Sequence, residues 1–166
     1  MAYHITDQTI GAQPIADTST TQNHPLGTIV RAYDTTYGEG EFIYLLGVAS
    51  TVVGSCVSWN ATTYQTALSA DTAKLAGPVA FAMSANVASQ YGWYQISGLA
   101  VAKKTAVAFT PQGPVFQSGT TGRVMVTSAS SKMILGARGA NLATVTSTTS
   151  TVVLSINRPH KQGNIT

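Results

Sequence analysis

A chain of 166 residues and 17.2 kDa is the size of one domain, large enough to close a single hydrophobic core. Only 9% of its residues are charged while 44% are hydrophobic, which excludes a disordered polyelectrolyte and predicts a folded chain with an adhesive surface. The one cysteine, Cys56, excludes an intrachain disulfide, and its place beside Val52, Val53 and Val57 predicts a small buried hydrophobe.

Residues 1–25 show neither helical nor strand periodicity and close on Asn23-His24-Pro25. They read as an extended N-terminal arm studded with Tyr3, Ile5, Ile10 and Ile15, with a reach on the order of 80 Å. Such a segment buries too little surface to offset its own ordering entropy, so it is either a free tail or laid on a neighbouring subunit. On either reading its removal should leave the rest folded. The first eleven residues carry no basic n-region and no apolar h-region, so folding in the cytoplasm is expected.

From Leu26 short β runs alternate with turn residues. Residues 28–33 and 41–48 flank Tyr37-Gly38-Glu39-Gly40, a tight turn, and residues 55–60 and 64–68 form a hairpin across Asn60-Ala61-Thr62. Ser69 to Leu75 is the one stretch where a capped helical turn fits. Further runs follow at 78–83, 92–97, 99–103, 105–110, 115–117, 123–127, 133–135, 143–146 and 151–157, set apart by Gly and Pro. Strands of about five residues in this density predict an all-β fold, one small barrel or sandwich. Residues 26–157 then make the β domain, and residues 158–166 a loose polar tail. The uncharged stretches 42–70 and 75–102 are interrupted by Gly47, Gly54, Asn60, Pro78 and Asn86, which is strand grammar and not that of a membrane helix.

Charge is divided unevenly along the chain. Six acids and one Arg lie at or before Asp71, a balance of −5, and eight Lys and Arg with no acid lie after it, a balance of +8. Those eight are spread too thinly for a phosphate-binding surface, Lys103-Lys104 being their only pair. Self-complementary assembly, with the acidic part of one subunit on the basic part of the next, is the reading preferred to direct nucleic-acid binding.

Groups for catalysis are few. His4, His24 and His160 fall in the expected arm and tail, where a general base has no fixed position, and no His or Cys spacing suits a metal. Glu39 and Glu41 project to one side of an extended segment about 7 Å apart, a glycosidase-like spacing that a solvated turn also produces. No enzymatic function and no cofactor are expected. The aromatic run Tyr91-Gly92-Trp93-Tyr94 puts Trp93 with Gln95 on one strand face and Tyr94 with Ile96 on the other. One face suits the core and the other a partner or a sugar platform.

The stretches His24-Pro25-Leu26-Gly27-Thr28 through Asp34, Tyr37-Gly38-Glu39-Gly40-Glu41-Phe42-Ile43-Tyr44-Leu45, Gly77-Pro78-Val79-Ala80-Phe81-Ala82-Met83-Ser84 and Gln90 to Ala100, with Ile156-Asn157-Arg158-Pro159, resemble capsid decoration, or cement, proteins of tailed bacteriophages. The resemblance spans roughly residues 25–104 and is one of pattern. It implies a β-barrel or β-tulip-like module, a homo-oligomer and by preference a trimer, on the outer capsid surface of a virion, stabilising contacts between major capsid protein subunits. It carries over no catalytic residues. Tyr3, Ile5, Ile10, Ile15, Trp93, Tyr94, Lys103 and Lys104 are the residues expected at the interface. A head-fibre base or tail component is the alternative within a virion, and a carbohydrate-binding β-sandwich the alternative outside one.

Overall fold

Two long strands organise the chain, and both are buried on two faces. In the computed structural model, which describes residues 3–6 and 11–164, these are β4 (Gly38–Leu46) and β8 (Tyr91–Lys103). Phe42, Tyr44 and Trp93 face one hydrophobic cluster, while Ile43, Leu45, Tyr94 and Ile96 face another. The alternation read from the Gly-Trp-Tyr run is therefore correct, but at Trp93 and Tyr94 themselves neither side chain is left for a partner. Trp93 and Tyr94 are both core.

Around them the described residues form an all-β fold with no helix. The remaining strands are β1 (His4–Ile5), β2 (Thr18–Ser19), β3 (Ile29–Asp34), β5 (Cys56–Trp59), β6 (Thr66–Leu68), β7 (Ala76–Ala82), β9 (Pro114–Gln117), β10 (Val124–Met125), β11 (Met133–Gly139) and β12 (Thr151–Gln162). They join in one 12-stranded antiparallel sheet whose main path is β1-β3-β4-β8-β7-β12-β11-β9-β10. The path is open, so the described strands are not a closed barrel. The β5–β6 hairpin covers one face of β4 and β8, where Val57 joins their apolar side chains and Trp59, Tyr64 and Leu68 pack against them. A third cluster, with Phe81, Ala100, Phe109, Ile134 and Leu154, fills the other half of the molecule.

Local chemistry explains the hairpins. The Asp34 carboxylate accepts backbone N–H bonds from Thr36 (2.7 Å) and Tyr37 (3.0 Å), and Gly38 takes φ +72°, which turns β3 into β4. The Asn60 side chain likewise accepts from Thr62 (2.8 Å) and Thr63 (3.0 Å) between β5 and β6. Residues 69–75 make turns and no helical turn. Residues 105–110 and 143–146 are not strands but touch through a single bridge, Phe109 to Val145.

The two chain ends depart most from expectation. Wherever it is described, the N-terminal segment lies on its own domain. Its β1 pairs with β3 and its β2 with β8, while Tyr3 and Ile15 enter the cluster of Phe42, Tyr44 and Trp93. Gln13 is the bolt: its N–H donates to His24 Nε2 (3.0 Å), its carbonyl accepts from the Trp93 indole (2.8 Å), and its side-chain oxygen accepts from Tyr44 (2.9 Å) and Asn23 (2.9 Å). His24, expected in an arm without a fixed position, is buried against Tyr44 and Trp93. At the other end there is no loose tail up to Gln162, because β12 continues through Arg158 and Pro159 and pairs with β7 and β11.

Cys56 is fully buried, and burial pushes its thiol up to about 12. In the unfolded chain the thiol loses its proton above about pH 8.5, while the folded chain keeps it, so the unfolded state binds fewer protons and stability falls as pH rises towards 12. Lys104 and Lys161 act in the opposite sense, since burial lowers both ammonium groups and folding then gains as pH rises towards the ordinary lysine range. Replacing Cys56 with Ala should therefore lower Tm at pH 7 through lost packing, and that deficit should shrink or reverse at pH 10.5. Thermal melts of both proteins at the two pH values check this.

Candidate protein-binding groove

A groove of about 510 Å³ opens where three strands part. The edge of β8 pairs with β7 at Tyr94 and Gln95, then with β12 from Ser97 onward. In turn β12 follows β8 as far as Asn157 and is paired with β7 from His160. Irregular backbone crosses the sheet at this level: Gly98 has φ +97°, Arg158 +43° and Gly136 +73°, and the pairings slip at Glu41/Phe42 and Leu135/Ala137. Bulges of this kind bend a strand and raise its twist, which is how neighbouring strands separate. A positive φ is uncommon for a residue with a side chain, and at Arg158 it is held by strand pairing on both sides.

Ile43 and Ile96 line the groove as buried residues, with Ile29, Trp59, Pro78 and Pro159 around them. Alternation along the strands puts Ile29, Ile43, Pro78 and His160 on one face, because Ile29 pairs with Ile43 and Pro78 with His160. Lys161 contributes to the lining, but its side chain runs to Ser58 Oγ on the opposite face (3.5 Å). At the groove end Glu41 binds Arg158 (3.0 Å) and lies 3.7 Å from Arg31. One carboxylate thus joins β3, β4 and β12, whereas Lys161 makes no ion pair among the described residues. Glu39 and Glu41 lie in a strand, not a solvated turn, and Glu41 is engaged by two guanidinium groups.

No family model, no curated protein and no solved structure matches the chain.

The groove is not where the sequence pointed. Tyr3, Ile15, Trp93 and Tyr94 are interior residues of the chain itself, Ile5 packs against the same cluster as Tyr3, and Ile10 lies outside the described residues. Lys103 is half-buried. Lys104 is 1% exposed, its ammonium donating to the carbonyls of Thr105 (3.1 Å) and Val107 (2.8 Å). As folded, five of the eight expected interface residues, namely Tyr3, Ile15, Trp93, Tyr94 and Lys104, offer a partner almost no surface. A glutamate at Lys104 would face two carbonyl oxygens, so it tests folding and not assembly. What sequence reading missed was Ile29, Trp59, Pro78 and Pro159. The available signal was strand alternation that leaves Ile29 on the solvent side of β3, whose burial alternates from exposed to buried along Ile29–Asp34. Among the described residues no three His, Cys, Asp or Glu side chains come together as a metal site.

Proposed function

We propose that the chain is a non-enzymatic structural protein that decorates the capsid of a tailed bacteriophage, a β-tulip-like module that binds major capsid protein subunits from outside and works as a homo-oligomer. The observation that carries this reading is the open apolar groove, at whose end Arg158 is held by Glu41. Such a site offers apolar surface for burial against a protein segment. Support comes also from where the phage-like segments fall. They fold into β3, β4, β7 and β8, which are contiguous in the sheet and supply Ile29, Ile43, Pro78 and Ile96 to the groove. The carbohydrate-binding alternative has lost its platform, since Trp93 and Tyr94 are buried.

Purified protein mixed with expanded heads lacking any decoration is expected to co-sediment with them and to raise the temperature at which they release DNA. Cryo-EM density is expected over junctions between capsid subunits. Density confined to the tail or head-fibre position, or no co-sedimentation at all, would overturn the proposal.

A further inference from the structure

The groove has a counterpart elsewhere on the same chain. Leu142 is 94% exposed, more than any other large exposed hydrophobic side chain among the described residues. It stands on the loop between β11 and β12, and that loop is held firmly at its base. Ala140 N–H donates to Val153 O (2.9 Å), the Asn141 side-chain amide donates to Phe109 O (3.2 Å) and Ala143 O (2.8 Å), and Val145 and Phe109 exchange both backbone bonds (2.8 and 3.0 Å). Phe109 is itself core. The loop therefore projects an aliphatic knob from a fixed root.

Charge fits the pairing. No acidic, basic or histidine residue occurs from Gly139 to Asn157, while Arg158, His160 and Lys161 contribute to the groove lining and Glu41 holds Arg158 at its end. An uncharged loop tip brings no further cation against them. Size fits as well, because a groove of about 510 Å³ accepts a leucine with its small neighbours Ala140 and Ala143. A second hollow lies beside the loop's own root, and Ala140, Asn141, Val145 and Thr149 of the loop itself form part of its wall.

Within one chain the knob and the groove are out of reach of each other. The loop leaves the sheet beside Val153, while the groove lies at Arg158 to Gln162 of the same strand, roughly 20 Å further along it. We propose that Leu142 of one copy seats in the groove of the next, between Ile29, Trp59, Pro78 and Ile96. The contact is heterologous, so it closes a ring if the rotation between copies permits and otherwise extends a filament. This deepens, and rests on, the reading that the groove face binds protein subunits, and it names the subunit as a second copy of this chain.

Site-directed crosslinking of the full-length protein tests it. Leu142→Cys and Ile29→Cys are prepared separately; Cys56 is buried and stays silent under mild oxidation. A mixture of the two variants is expected to form a disulfide dimer that neither variant forms alone. Leu142→Asp, a change at a solvent-exposed tip, is expected to give a monomer by light scattering with an unaltered Tm. A Leu142→Cys protein that links chiefly to itself, or a wild-type mass that Leu142→Asp leaves unchanged, overturns the proposal. The two readings fail separately. Crosslinking without binding to naked heads refutes decoration and keeps the self-contact, and a wild-type monomer that binds heads does the reverse.

Discussion

Deletion of residues 1–24 is expected to lower Tm by about 10–20 °C and to expose dye-binding apolar surface, although the described residues among them include only two-residue strands. Tyr3 sits edge-on to Phe42, with ring centroids 4.8 Å apart, and its hydroxyl donates to Leu99 O (3.1 Å) while accepting from Gln95 (3.3 Å). Ile15 is buried in the same cluster. Losing these two side chains removes roughly 1.5–3 kcal/mol each. Their departure, with Gln13 and His24, also opens Phe42, Tyr44 and Trp93 to water and ends the indole bond to Gln13. A total of about 5 kcal/mol is comparable with the whole stability of a marginal domain. Differential scanning calorimetry of the truncated and full chains measures it, and an unchanged Tm would show that the segment is the passive arm its composition suggests.

That segment shows where sequence reading stops. Turn chemistry is local, so both hairpins were announced, although the first turn lies at residues 35–37 under Asp34 and Gly38 to Gly40, read as the turn, belong to β4. The polar run 1–25 hid its role because what orders it lies far along the chain: Trp93 for Gln13, Leu99 for Tyr3. Breaks were over-read for a related reason. Gly98 looked like the end of one strand and the start of another, yet β8 passes through it, with Gly98 itself paired to Ile156. Residues 158–166 read as a loose tail, but Pro159 stands where β12 leaves β8 for β7, a position at which a strand tolerates a residue without an N–H. The buried Lys104 was equally hidden, since the carbonyls of Thr105 and Val107 that receive its ammonium carry no mark in residue type. The candidate site fared worse than the fold. A groove made where β7, β8 and β12 diverge belongs to no single segment.

Gly98→Ala tests whether this divergence is built by close backbone approach. With φ at +97°, Gly98 is in a conformation that side chains resist, and a Cβ there would lie 2.5 Å from the Glu39 carbonyl oxygen and 3.1 Å from Gly40 Cα. Both neighbours are backbone atoms of β4, so relief requires β4 and β8 to move apart at the level where Glu41 and Ser97 pair. Gly38 separates conformation from crowding: its φ is +72°, yet nothing lies within 4 Å of an added Cβ. Gly38→Ala is expected to cost about 1 kcal/mol, as for strained backbone in open space, and Gly98→Ala about 3–4 kcal/mol, the excess being the steric term. Urea unfolding of the two variants, with m-values compared to confirm an unchanged unfolded state, gives both numbers. Equal losses would mean that β4 yields freely and that the approach is not tight. If the excess is found, Gly98→Ala should also weaken self-assembly at temperatures where it remains folded. Ile96, two residues away, would be displaced from the groove, whereas Gly38→Ala, in the β3–β4 turn, leaves that surface as it is.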